Sequence, residues 1–302
     1  MTRAIAFIPE LKYEKILKRA IKLRSDLFLI PRTDKRATRL ADDLKQKGYE
    51  IHGGCFIYYE GNLSEDGTLY ELFQSYCLSL IFFYSLGRVT CRAYQEIRGN
   101  ENIVITETQL FIDEYDKFNV DPDDLVTLIY KDIKKIEPVS ERVFTQLVNS
   151  SFNSLSNAVE FYLLYLSEPQ IRTRLLYLSI CLESILLNDE GEGISYKLGL
   201  RCAHLISNPE KNIIKENIYT EVKNIYNLRS KIIHGSNYRR ESEKIISKSL
   251  GKTTSELDHI LILEKIVKEV FSVIFVNIDM YNDTIADKLG QKMDALMLTV
   301  PK

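Results

Sequence analysis

The sequence predicts an α+β region over residues 1–137 and an all-α region over 138–302. Three observations carry this division. In the first part, short β-branched and aromatic runs alternate with helical periods. Beyond Ile136-Glu137-Pro138-Val139-Ser140, the expected joint, strand signals nearly vanish and apolar residues recur at three- and four-residue spacing. Breakers (Pro169, Gly193, Asn208-Pro209, Gly235 and Gly251) then fall between the helical stretches rather than inside them.

Taken in order, residues 11–23 place Leu11, Tyr13, Ile16, Leu17, Ala20 and Ile21 at helical spacing, with Lys12, Lys15, Lys18, Arg19 and Lys22 on the remaining surface. A solvated basic helix is the expectation there. Residues 26–30 are an apolar run closed by Pro31 and read as a strand. Residues 37–47 read as a second helix, with Gly48 where a C-terminal cap belongs. Strands are expected over 55–59 and 103–112, on either side of the uncharged stretch 72–86, which reads as a buried core helix. Asp121-Pro122-Asp123-Asp124 is a turn or a helix start with proline at its first position. In the second part helices are expected over 140–167, 171–187, 196–207, 210–234, 241–250 and 255–282, with a short one near Met297.

Forty basic and forty-two acidic residues leave a net charge of −2, which excludes a surface coated in basic charge for bulk nucleic-acid binding but not a local basic groove. The five cysteines form no C-x-x-C pair and have no histidine at metal spacing, so they read as free thiols in a reducing, cytoplasmic setting, with no metal and no cofactor expected. The N-terminal apolar run is too short for a signal peptide, and 72–86 is too short to cross a bilayer, so no membrane role is expected.

One segment concentrates chemistry: Tyr226-Asn227-Leu228-Arg229-Ser230-Lys231-Ile232-Ile233-His234-Gly235. Helix physics alone accounts for its layout. Val222, Ile225, Ile232 and Ile233 are the expected core-facing stripe, and Arg229, Lys231 and His234 sit where cations favour the negative end of the helix dipole. Gly235 then closes the helix in a left-handed cap.

The same segment, Arg-x4-His ending in His-Gly, resembles the motif of HEPN domains, particularly the Apea-like branch, in Tyr226, Arg229, Ser230, Ile232, His234 and Gly235. Two further blocks match in order. The stretch 178–187 is similar to the family's apolar helix with an internal glutamate, here Glu183, and 196–206 follows a short acidic loop as the family's third helix does. The resemblance spans about 140–296 and implies a HEPN-type helical bundle. It further implies a metal-independent endoribonuclease acting as a homodimer, with Arg229 and His234 of both protomers at the interface. A toxin or antiviral effector, with an antitoxin or other regulatory partner and with residues 1–137 sensing or recruiting, is the company the family keeps. The alternative is a non-catalytic HEPN scaffold that dimerises and binds a nucleotide, RNA or a partner protein.

The chemistry is coherent on its own terms. RNA carries its nucleophile, the 2′-hydroxyl, so cleavage to 2′,3′-cyclic phosphate ends needs proton transfer and charge stabilisation. Histidine exchanges protons near neutral pH, and arginine offers a planar fork to two phosphate oxygens. Residues five apart lie about 140° apart around an ideal helix, so Arg229 and His234 converge only through a distorted last turn or across a two-fold axis. Many active members carry Asn, Asp or His after the arginine, where this chain has Ser230.

Glu183, in an otherwise apolar helix, either orients the Arg229 guanidinium, forms a structural ion pair with Arg201 or Arg229, or lies at the surface. Tyr226 and Asn227 are candidates for RNA contact or for plain helix-face roles, and Lys231, Arg239 and Arg240 are candidates for phosphate contact or for a solvated charge run. His52, beside Gly53-Gly54, reads as a turn, and His204 and His259 read as structural.

Overall fold

The computed structural model describes residues 2–7, 11–13, 20–23, 26–31, 33–46, 55–62, 69–84, 91–99, 102–110, 126–128, 130–148, 153–187, 193–208, 214–235, 240, 242–244 and 256–298. The chain divides into two compact units, 1–148 and 149–302.

The first unit is α+β, as expected. Strands β1 (Thr2–Phe7), β2 (Leu11–Tyr13), β3 (Ile21–Lys22), β4 (Leu27–Pro31), β5 (Cys55–Gly61), β6 (Cys91–Gly99), β7 (Asn102–Leu110) and β8 (Val126–Leu128) alternate with α1 (Lys35–Gln46), α2 (Leu69–Tyr84) and α3 (Tyr130–Val148). Six strands form one sheet in the order β3-β4-β5-β1-β6-β7, every neighbouring pair antiparallel, and β2 pairs with β8 in parallel. Leu27, Leu29, Ile30, Phe56 and Ile57 bury one part of the core, and the almost wholly apolar α2 buries Leu72 through Phe82. Such an all-round apolar helix belongs in an interior.

Two expectations fail in this unit. The helical period over 11–23 gives way, in its described residues, to strands: Leu11–Tyr13 pairs with Val126–Leu128, and Ile21–Lys22 with Leu29 and Phe28. Ladder partners supplied by distant residues outweigh a local preference of tenths of a kcal/mol per residue. The joint expected at 137/138 lies inside α3, and the division falls at 148/149. Proline removes one helical N–H and crowds the preceding turn. Here packing offsets that loss: Ile136, Val139, Ser140 and Val143 are buried, Ser140 Oγ lies 3.1 Å from Ser75 Oγ, and Tyr76 donates its hydroxyl to Glu137. Residues 140–148 therefore belong with the first unit. Gly48, His52 and 121–124 lie outside the described residues.

The described elements of the second unit are helices: α4 (Ser154–Ser167), α5 (Ile171–Leu186), α6 (Ile194–Ile206), α7 (Lys215–Ile233), α8 (Glu256–Val276), α9 (Ile278–Ile285) and α10 (Leu289–Leu298). The pattern over 140–167 is thus divided between α3 and α4, and Asn153 starts α4 with a reciprocal cap: its Oδ1 accepts from Leu155 and Ser156 N–H while Ser156 Oγ accepts from the Asn153 N–H. The single helix expected over 255–282 is interrupted at Asn277, whose extended backbone and side-chain oxygen, accepting from Asp279 and Met280, begin a new helix. Of the helix expected over 241–250, only 242–244 is described. The core gathers Leu155, Tyr162, Leu178, Leu182, Val267, Phe271 and Phe275. Among the described residues, no helix is long and apolar enough to cross a membrane.

Candidate functional site

Helix α7 carries the segment singled out in the sequence. Ile218, Val222, Ile225 and Leu228 are its buried anchors, and their spacing fixes the phase of every other side chain. Arg229, one residue past the last anchor, is half-buried at the edge of the core, while Asn227 and His234 face solvent. Ile232 is only half-buried and Ile233 is 51% exposed, so the expected core stripe ends at Leu228.

The helix stops where the sequence says it should. Gly235 adopts φ 61°, the left-handed conformation that favours glycine, and its N–H donates to the Ile232 carbonyl at 3.3 Å. The His234 N–H still reaches the Ser230 carbonyl at 3.0 Å. This ending presents the imidazole at the helix terminus, and among the described residues its ring has no hydrogen bond or ion pair.

Glu183 of α5 resolves toward Arg229. Arg229 Nη2 donates to Glu183 Oε2 at 2.9 Å, and Nε lies 2.9 Å from Oε1 without the alignment of a hydrogen bond. Both side chains are 21% exposed. Tyr226, one turn earlier, places its ring 5.4 Å from the guanidinium carbon. Burial raises the Glu183 carboxyl above its ordinary range, with Arg229 pulling the other way. Burial and then the Glu183 charge raise the Tyr226 hydroxyl. The side of the guanidinium bearing Nε is taken by Glu183. Its far end, with both Nη1 hydrogens, has no partner among the described residues and is shaped to take two oxygens of an anion.

No family model matches the chain, and no curated protein or solved structure shows significant similarity to it.

The remaining candidates are spread more loosely. Ser230 and Lys231 are half-buried beside the pair, Arg240 is exposed, and Arg239 lies outside the described residues. Arg201, the other partner considered for Glu183, is instead fully buried and bound elsewhere: Nε to Asp294 Oδ1 at 2.9 Å, Nη2 to Asp294 Oδ2 and Nη1 to the Leu186 carbonyl, both at 2.5 Å. That carbonyl belongs to the last residue of α5, three positions after Glu183, so Arg201 pins the helix end that carries the Arg229 partner. Asn157 of α4 adds a second tie, donating from Nδ2 to Ser184 Oγ at 2.9 Å. The Arg201–Asp294 pair has no clear signal in sequence: a core arginine declares itself only when its carboxylate is seen. Among the described residues, no three His, Cys, Asp or Glu side chains gather as metal ligands would.

Proposed function

We propose that the second unit is a HEPN-type endoribonuclease that cleaves RNA by attack of the 2′-hydroxyl, leaving 2′,3′-cyclic phosphate ends. The observation that carries the reading is the state of Arg229. Its guanidinium is held by Glu183 on one side, backed by Tyr226, and left unpartnered among the described residues at its far end, five residues before the exposed His234. In this reading Arg229 binds the non-bridging oxygens of the scissile phosphate and stabilises their growing charge. His234 exchanges protons with the 2′-hydroxyl or the leaving 5′-oxygen. Glu183 is a positioning residue. Isologous pairing of two copies supplies the second Arg–His set, since about 140° of helix separates the two within one copy. Lys231, Arg239 and Arg240 neutralise flanking phosphates, with Ser230 and Asn227 beside the reacting groups. A toxin or antiviral effector in the cytoplasm, held by an antitoxin or other regulator and directed by the first unit, is the setting this activity suits; the free, buried Cys77, Cys181 and Cys202 accord with a reducing compartment.

The test uses an RNA strand with a single 2′-deoxy substitution at a mapped cleavage site. Loss of cutting at that position alone supports the mechanism, and continued cutting there overturns it. A second reading, a non-catalytic HEPN scaffold that dimerises or binds a nucleotide, RNA or protein, is favoured by one feature: Arg229 already has a carboxylate partner within its own unit, as a structural arginine does.

A further inference from the structure

We propose that the flank of α7 leading to the Arg229–His234 turn, together with Tyr196 of α6, binds the unpaired nucleotides adjoining the scissile bond of a single-stranded RNA; the assignment rests on the ribonuclease reading above. Tyr219, Lys223, Tyr226, Ser230 and His234 follow one another at spacings of four, three, four and four residues, which keeps them within one strip along the helix. The strip ends at the candidate site and begins at an aromatic pair. Tyr196 and Tyr219 meet edge to face with ring centroids 6.0 Å apart, and Tyr196 is 56% exposed, the most exposed of the large apolar-bodied side chains among the described residues. Gly199 makes the pair possible, because a Cβ there would lie 3.0 Å from the Tyr219 ring. Lys223 Nζ sits 5.7 Å from the Tyr219 ring centroid and forms no ion pair with a carboxylate among the described residues.

An aromatic with an open surface, a cation left over for a phosphate and a line toward the reacting groups are the elements of a single-strand platform. Stacking on such rings tolerates any base, whereas a duplex hides the faces they need. Lys215, exposed one turn before Tyr219, adds a second positive charge, against Glu216 as the acid at that end. From Tyr219 to His234 the helix rises about 22 Å. At the roughly 3.4 Å per nucleotide of a stacked strand, this accommodates about six nucleotides. The chain's net charge of −2 is no obstacle, since the favourable charge is confined to one strip.

The experiment measures binding of a 2′-O-methyl single strand of about nine nucleotides, which cannot be cut, and cleavage of RNA strands of about three and nine nucleotides, lengths set by the roughly 3.4 Å spacing. Full-length wild type is compared with Tyr196→Ala, Tyr196→Phe and Lys223→Ala, each checked for unchanged thermal unfolding. Tyr196→Ala is expected to weaken binding about tenfold and to raise KM for the longer strand with kcat, and all kinetics on the shorter one, unchanged; Tyr196→Phe keeps the ring and behaves as wild type. Lys223→Ala is expected to weaken binding severalfold and to flatten the dependence of log affinity on log salt by about 0.7. Wild-type affinity in the Ala variants, equal loss on both strand lengths, or equal binding of a duplex overturns the proposal. If wild type cuts neither strand while the two Ala variants still lose affinity for the 2′-O-methyl strand, the ribonuclease reading fails and the single-strand platform stands.

Discussion

Removing the Asp294 carboxylate tests the packing account of the second unit. Arg201 is fully buried, and Asp294→Ala deletes both of the charge-assisted hydrogen bonds it makes to that carboxylate while keeping the one to the Leu186 carbonyl. Stranding one partner of a fully buried pair costs about 3–5 kcal/mol, and breaking an exposed pair about 0–1. Asp294 is 46% exposed, so water reaches the vacated face of the guanidinium, and the expected loss falls between these limits at about 2 kcal/mol. For a unit of this size that is a fall of roughly 4–8 °C in Tm. Replacing both residues by apolar ones, Arg201→Met with Asp294→Leu, removes the buried charge along with its partner and is expected to recover most of the loss. The sign of the pH dependence follows from the pair. The hydrogen bond to Arg201 holds the Asp294 carboxyl below its ordinary range, so its contribution is present above the unfolded pKa of ~3.9 and is lost as pH falls through the folded value. The assay is urea unfolding of the full chain, followed by amide exchange in α6 and α10 to isolate this unit. A gap between wild type and Asp294→Ala under about 0.5 kcal/mol at pH 7, or a double variant whose loss is the sum of the single ones, refutes the reasoning.

Other expectations are as specific. Gly290→Ala places a Cβ 2.8 Å from Arg201 Nη1 and forces the buried guanidinium aside; a loss of about 1–2 kcal/mol is expected, and an unchanged unfolding midpoint counts against the assigned contact. His259 is fully buried in α8, neither ring nitrogen is hydrogen-bonded among the described residues, and burial holds its pKa down. The unfolded chain therefore takes up this proton below about pH 6.5 while the folded one does not, and stability falls with pH in that range. A His259→Leu variant is expected to show a shallower acid-side decline in denaturant titrations between pH 7 and 5, and matching slopes contradict the assignment.

Local features were the legible ones. The end of α7 follows from Gly235 alone, and the apolar runs at 26–30, closed by Pro31, and at 55–59 mark the strands found at Leu27–Pro31 and Cys55–Gly61. What local pattern cannot supply is the partner. Lys12 and Lys22 sit in a faultless helical period, yet their backbones form strands because Val126–Leu128 and Leu27–Pro31 lie alongside. Strands β1 and β6 have no counterpart among the sequence expectations, since each is completed by pairing with the other. Pro138 is an ordinary breaker until α2 packs on both sides of it. At the site, the types and spacing of Arg229 and His234 were readable, and the choice of Glu183 for Arg229 over Arg201 was not: it depends on which helix faces α5 and on Asp294, ninety-three residues beyond Arg201. The strip running back to Tyr219 was hidden for the same reason, because Tyr196 and Gly199 come from another helix.

The most direct measurement incubates purified wild type and His234→Ala with total cellular RNA in EDTA and maps the new ends. Cutting by wild type alone, with 2′,3′-cyclic phosphate and 5′-hydroxyl ends, is the predicted result. Identical cutting by both proteins, or ends of another chemistry, contradicts the assignment of His234 and with it the proposed mechanism.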